Sequence, residues 1–502
     1  MQLGFVIDHS RCIGCHACTV ACKSENEVPV GNFRTWVKYT ESGTFPDVRR
    51  NFAVLRCNQC TDAPCMTICP TSALTKRSDG IVDLNQDHCI GCKSCMHGCP
   101  YDALYLNEDT GTAEKCHFCA HRTERGLAPA CAVVCPTEAI IPGDFHDPDS
   151  RVSQMRKQYD LSARKTEAGT GPNVMYREVT EAGIDPAQTN LSQGFIWSQP
   201  PTGALADAQA FEAMETQAKA RTVYDVPRQP LWGNKIVGYL YFKSLATGLF
   251  PIGLLAIAQS EGLTPFQRAL VPLAALAFLG LTCLLLVADL KRPDRFLMIL
   301  LRPNWNSWLA RGTYAITLYA LMLTSWLFLA LSGHDGDVSA DPYFWLTCAT
   351  AALTACYTGW LFGQAKGRVL WMRSGSWAHL LVHAVLAGAA ALVFLDIEWV
   401  RDLLLGSLVV QAGFMLTEHR QAPSKREDEY RRAHELVARG PFAGVHWRVG
   451  MLVGVIIPIV CLVIPVDSMR LTLSIVAAVC ALVGLYSEER TWVLAGQSLP
   501  IS

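Results

Sequence analysis

The sequence predicts an α+β domain over residues 1–150, followed by an all-α membrane bundle of about eight helices. Two observations predict this division: sixteen of the 21 cysteines fall before residue 136, and nearly all long uncharged runs fall after residue 235. A chain of 502 residues is too long for one compact core. Its 50% hydrophobic and 17% charged residues, with a mean hydropathy of +0.20, suit a membrane protein. The formal net charge of -1 gives no sign of a nucleic-acid partner. The opening MQLGFVIDHS has neither a basic n-region nor an apolar h-region, so no signal peptide is expected.

The cysteines come in four groups: Cys12, Cys15, Cys18 and Cys22; Cys57, Cys60, Cys65 and Cys69; Cys89, Cys92, Cys95 and Cys99; and Cys116, Cys119, Cys131 and Cys135. The first and third have the C-x2-C-x2-C-x3-C spacing of bacterial ferredoxins, and three of the four groups end in Cys-Pro. Three thiolates on a tight turn wrap one face of a 4Fe-4S cube, and the fourth reaches a neighbouring cube. Disulfides are the first rival, but disulfide scaffolds are small secreted domains. Zinc needs only four ligands per site and gives no reason for a third cysteine at x2 or for the proline. The domain is therefore expected to be of double-ferredoxin type, holding 4Fe-4S clusters.

Residues 151–231 lack strand alternation and apolar periodicity. They read as coil with one surface helix near 205–220: a linker, or an arm that packs on a partner subunit. Trp232 stands at an expected membrane interface. Eight apolar runs follow, at 236–259, 269–288, 312–332, 342–364, 374–395, 403–417, 449–466 and 471–486. Most have the length to span a bilayer, while the sixth and eighth are short for it. Residues 491–502 read as a C-terminal tail.

Residues 1–150 resemble the four-cluster ferredoxin subunit of molybdopterin oxidoreductases, such as dimethyl sulfoxide, polysulfide and tetrathionate reductases and sulfite dehydrogenase. RTWV (34–37), RCNQCTDAPC (56–65), DGIVDLNQDHCIGCKSCMHGCPYDA (79–103), PACAVVCPTEAI (129–140) and GDFHDPDS (143–150) carry the likeness. The resemblance implies four clusters: Cys12, Cys15 and Cys18 with Cys135; Cys116, Cys119 and Cys131 with Cys22; Cys57, Cys60 and Cys65 with Cys99; and Cys89, Cys92 and Cys95 with Cys69. The spacing alone says only that fourth cysteines cross over.

Residues 288–319 and 357–374 are similar to the NrfD-type membrane subunit of polysulfide reductase. That likeness implies a site for a membrane quinone, ubiquinone or menaquinone, among lipid, and no haem. A bis-histidine haem is the rival, since His379 and His383 lie at i and i+4 on one helix. Axial ligands must stand on opposite sides of the iron, so two histidines on one face read better as polar packing groups.

Eight spans place the ferredoxin domain and the C-terminus on one side. Residues 288–312, 364–374 and 418–440 on that side carry fourteen Lys and Arg, against Arg268, Arg401 and Arg470 on the other. The positive-inside rule then puts the iron-sulfur domain on the cytoplasmic side of a bacterial inner membrane. Polysulfide and dimethyl sulfoxide reductases are arranged the other way; cytoplasm-facing relatives such as sulfite dehydrogenase agree. The reading is an electron-transfer and anchor subunit for a molybdopterin catalytic partner, passing electrons from substrate to quinone. The alternatives are the anchor of a quinol-dependent reductase and an ion-translocating redox module. The chain itself is expected to hold no substrate site other than that for quinone. Candidates for the quinone headgroup are Lys243, an ionisable residue inside the first span, with Asp289, Arg292 and Arg311 at or near the ends of the next two.

Overall fold

The computed structural model describes residues 1–190, 220–226, 231–259, 264–333 and 338–502. The N-terminal domain is built on β1 (Leu3–Asp8), the strands β2 (Thr35–Ser42) and β3 (Arg49–Arg56), the hairpins β4–β5 (Leu74–Lys76, Val82–Leu84) and β6–β7 (Leu104–Asn107, Thr112–Lys115), and β8 (Ile140–Asp144). Strand β1 is almost wholly buried, with Phe5 and Ile7 packed in one apolar cluster and Val6 in another. It pairs antiparallel with β8 and parallel with β9 (Val174–Arg177). A second sheet runs β10-β11-β2-β3, with β10 at Thr189–Asn190 and β11 at Ala220–Tyr224.

The segment 151–231 is thus not all coil. It contributes a helix (Arg151–Gln158) and strands to the two larger sheets of the ferredoxin domain. Strand β9 is four residues long, with Val174 and Tyr176 inward; that is too short to declare a period in sequence. The expected helix near 205–220 lies outside the described residues.

Among the described residues, the second half holds eight long helices: α1 (Asn234–Ala258), α2 (Pro265–Asp289), α3 (Trp308–Leu331), α4 (Pro342–Gly363), α5 (Ser376–Leu392), α6 (Glu398–Thr417), α7 (a π-helix over Val445–Ile456 continued as α-helix over Ile457–Val463) and α8 (Arg470–Ser498). Seven are long and apolar enough to cross a membrane. The exception, α4, has the length but carries Thr347, Thr350, Thr354 and Thr358 on one buried face. Thr347 and Thr350 bond backbone carbonyls of their own helix, which offsets the cost of burying the hydroxyls. Helices α1 and α5 are the most buried and form the centre. They touch through Gly248 and Gly388, where a Cβ on Gly248 would sit 1.7 Å from the Ala384 carbonyl oxygen.

Helix α8 runs to Ser498, past the expected end at 486, so the expected tail is mostly helix. Its last turns are buried. Gln497 accepts hydrogen bonds from the backbone N–H groups of Leu231 and Trp232, both at 2.9 Å. The charged SEER sequence at 487–490 reads as a helix end by hydropathy; inside the fold its two glutamates find partners on α5.

Candidate functional site

The four cysteine-rich loops share one backbone device. In the first C-x2-C pair of each group the residue before the second cysteine has positive φ: Gly14 (70°), Gln59 (45°), Gly91 (67°) and Phe118 (61°). Gln59 and Phe118 adopt this region despite their Cβ, a strain that collects at functional sites. Such turns make concave nests of N–H groups that suit anionic metal-sulfur centres. The N–H groups of Ala113, Phe118 and Ala139 donate to the sulfurs of Cys89, Cys116 and Cys135 at 3.2–3.4 Å. Burial pushes the thiol of Cys18 up to about 11 and that of Cys92 up to about 12, so a metal's charge is needed to hold them as thiolates. The loops therefore fit the clusters expected of them.

The thiols fall into four sets. Cys12 lies with Cys15, Cys18 and Cys135. Cys22 lies with Cys116, Cys119 and Cys131, the four lining one small void with Phe5 and Arg56. Cys57, Cys60 and Cys65 gather with Cys99, and Cys89, Cys92 and Cys95 with Cys69. No disulfide joins any described cysteine.

The sets form a line from the outer surface to the membrane bundle. Cys15 is exposed, and Cys12 and Cys135 are half-buried. Cys18 interacts with Cys131 of the second set. Gln59 of the third set donates to the Cys116 carbonyl at 2.9 Å, and Cys65 interacts with Cys95 of the fourth. Arg56, wholly buried, donates to the Cys131 sulfur at 3.2 Å and supplies positive charge between the first two sets.

The fourth set rests on the bundle. Trp232, just before α1, donates its indole N–H to the Cys92 carbonyl at 3.3 Å. Lys93 pairs with Asp289 at 2.8 Å, and Asn304 donates to the Cys69 carbonyl at 2.8 Å. His97 packs among Trp232 and Trp371. Burial, with Arg368 and Lys93 nearby, keeps it well below its ordinary pKa.

The structure does not bring the four quinone candidates together. Lys243 alone of the four is inside the bundle, fully buried. Its Nζ donates to Thr358 Oγ1 at 2.6 Å and to the Ala355 carbonyl at 3.0 Å, and it stands 5.5 and 5.1 Å from the rings of Tyr239 and Tyr357. Tyr239 closes the group with hydrogen bonds to Thr358 (2.6 Å) and Tyr357 (3.2 Å). Asp289 pairs with Lys93 and so belongs to the seat of the cluster loop. Arg292 bonds Asp294 and the Thr110 carbonyl, and Arg311 bonds the Trp305 carbonyl at the bundle surface.

Sequence reasoning reads His379 and His383 as polar packing groups but misses the partners that make them a second polar group. His379 and His383 of α5 face Glu488 and Glu489 of α8 and Gln411 of α6, all buried. The signal lies in the i, i+4 histidines and the double glutamate. Only folding puts α5 beside α8.

Two family models match the protein: a 4Fe-4S dicluster domain over residues 48–145 and the polysulphide reductase NrfD family over residues 222–500. The N-terminal part is similar to curated iron-sulfur subunits. It is 38% identical over 224 residues to the arsenate respiratory reductase iron-sulfur subunit of Shewanella sp. (strain ANA-3), covering 35% of this chain and 96% of that protein. It is 41% identical over 202 residues to a tetrathionate reductase subunit of Salmonella typhimurium, covering 39% and 80%. With a polysulfide reductase chain of Wolinella succinogenes it shares 38% over 187 residues, covering 37% and 98%. A cysteine-rich electron-transfer domain seated on a multi-pass helical bundle, with the NrfD match spanning over half of the length, places this protein in the NrfD polysulphide reductase family, fused to a 4Fe-4S ferredoxin domain.

Proposed function

We propose that this chain relays electrons from a separate molybdopterin catalytic subunit to the membrane quinone pool, through four 4Fe-4S clusters held by the four cysteine sets. Bound clusters supply one-electron transfer. The chain's own residues set where electrons enter and leave. Entry is at the exposed Cys15, and the exposed apolar side chains Ile13, Val20, Val133 and Val134 of the cysteine loops of that set and the next suit a docked subunit. The iron-sulfur domain faces the cytoplasm of a bacterial inner membrane, and the direction is substrate to quinone.

The observation that carries this reading is the continuity of the last cysteine set with α1. Trp232 bonds the Cys92 loop just before α1, and Lys243 lies nine residues past the first residue of that helix, Asn234, a rise of about 14 Å. Lys243, Tyr239 and Thr358 supply donors for a quinone oxygen in a water-poor interior. Asp289, Arg292 and Arg311 serve the seat of the domain and the membrane surface. In the Lys243→Met variant the charge is lost and the volume kept. Quinone-reduction activity should fall about 10²-fold with iron content intact. An unchanged rate and apparent affinity would remove Lys243 from the site.

A further inference from the structure

We propose that His379, Glu488, His383 and Glu489 form a buried proton store that supplies the reduced quinone from the iron-sulfur side of the membrane; this rests on the quinone site at Lys243 proposed above. The four side chains are continuous. His379 Nε2 is 3.1 Å from Glu488 Oε1, His383 Nε2 is 3.8 Å from the same oxygen, and His383 Nδ1 is 3.3 Å from Glu489 Oε1. Glu489 Oε1 then accepts from Ser244 at 3.4 Å. Glu489 also interacts electrostatically with Lys243, the residue before Ser244 on α1, so the cluster ends near the proposed headgroup.

One ligand atom from each of His379, His383 and Glu488 lies within 4.8 Å of the other two, a spacing that could hold a metal ion. The hydrogen bonds decide for protons. Arg373 Nη2 lies 2.5 Å from His379 Nδ1. An arginine keeps its protons, so Nδ1 is the acceptor and the ring proton of neutral His379 is on Nε2. That N–H points at Gln411 Oε1 (2.9 Å) and Glu488 and has no lone pair for a metal. Gln411 is oriented by donating its own amide to Glu488. Meanwhile His383 Nε2 and Glu489 Oε2 are buried without a hydrogen-bond partner among the described residues, which leaves positions where a proton can be added. Burying two carboxylates and two imidazoles is costly unless they share protons among themselves.

Location fits supply from one side. The N-terminus of α5 follows the loop in which Gly367 donates to the His97 carbonyl, so it lies toward the iron-sulfur domain. At that end Arg373 pairs with Glu418. Arg373 is a positioning residue here, because it holds the His379 tautomer and passes no proton itself. Reduction of one quinone to quinol takes two electrons, which arrive through the ferredoxin domain, and two protons. The two protons leave the His/Glu cluster through Ser244 to the quinone oxygens, and two from water on the iron-sulfur side replace them.

The test uses the complete complex in membranes. Glu489→Gln keeps the shape and removes the acid, and Ser244→Ala removes only the connecting hydroxyl. Both should lower the quinone-reduction rate by about 10-fold or more, with KM for quinone, iron content and the rate of cluster reduction by substrate unchanged. Glu489→Gln should also show a larger solvent deuterium isotope effect and partial rescue by added small weak acids. Wild-type rate and isotope effect in both variants would overturn the store while leaving the Lys243 site standing. So would a loss confined to KM, or a stoichiometric divalent metal in the wild type that His383→Gln lacks. Failure of the quinone site itself would show instead as Lys243→Met retaining full activity.

Discussion

Among single residues, the cysteines and their turns carry the chemistry. Each cysteine-rich loop bends through a positive φ, and in each a non-glycine residue (His16, Gln59, Lys93, Phe118) accepts that strain. Sixteen thiols in four sets of four predict about sixteen irons per chain in anaerobically purified protein. Iron analysis near eight, or bound zinc, would contradict the assignment. Cys95 is fully enclosed between the third and fourth sets, interacting with Cys92, Cys89, Cys69 and Cys65. Cys95→Ser should therefore disable the set nearest the membrane. Substrate would still reduce the outer clusters, seen by electron paramagnetic resonance, while electron delivery to quinone would stop because a single-file relay has no bypass.

Among the helices, α1 and α5 organise the bundle. Polar groups concentrate on faces turned inward: the threonine stripe of α4, Lys243 and Ser244 on α1, the histidines of α5 and the glutamates of α8. Outward faces in the bundle carry residues such as Leu284, Phe328 and Val479, as lipid requires. The α1–α5 contact depends on the absence of side chains at Gly248 and Gly388, where backbone meets backbone. Gly248→Ala should push the helices apart and cost about 1–3 kcal/mol, as overpacking does. The expected readout is a lower thermal midpoint in detergent, with the ferredoxin domain's iron content retained. Equal stability would show that the contact is loose.

Across the molecule as a whole, one charge asymmetry has two causes. Several basic residues in the loops facing the iron-sulfur domain hold that domain: Lys291 pairs with Glu108 at 2.7 Å, Arg295 donates to the Gln86 carbonyl at 2.6 Å, and Lys366 donates to the Ala168 carbonyl at 3.3 Å. Others, such as Arg431, stay exposed, where the positive-inside rule gives them a part. A reporter active only in the cytoplasm, joined to Ser502 by a flexible linker, should be active. A silent cytoplasmic reporter with an active periplasmic one would put the iron-sulfur domain in the periplasm.

The cysteine groups are legible in the order of amino acids alone, because metal ligation needs particular residue types at short fixed spacings. So is the succession of apolar helices, because lipid demands long uncharged runs. The strands at 174–177 and 220–224 are not, since they are short and take their meaning from pairing with β1 and β2. Nor does the order of residues assign partners to charges. Asp289 finds Lys93 across the domain boundary rather than Lys243, and Glu488 and Glu489 find histidines about a hundred residues away. Ion pairing in a low-dielectric interior is decided by which helices pack together. Folding alone sets that neighbourhood, since hydropathy marks a helix as membrane-spanning without saying which of its faces meets which neighbour.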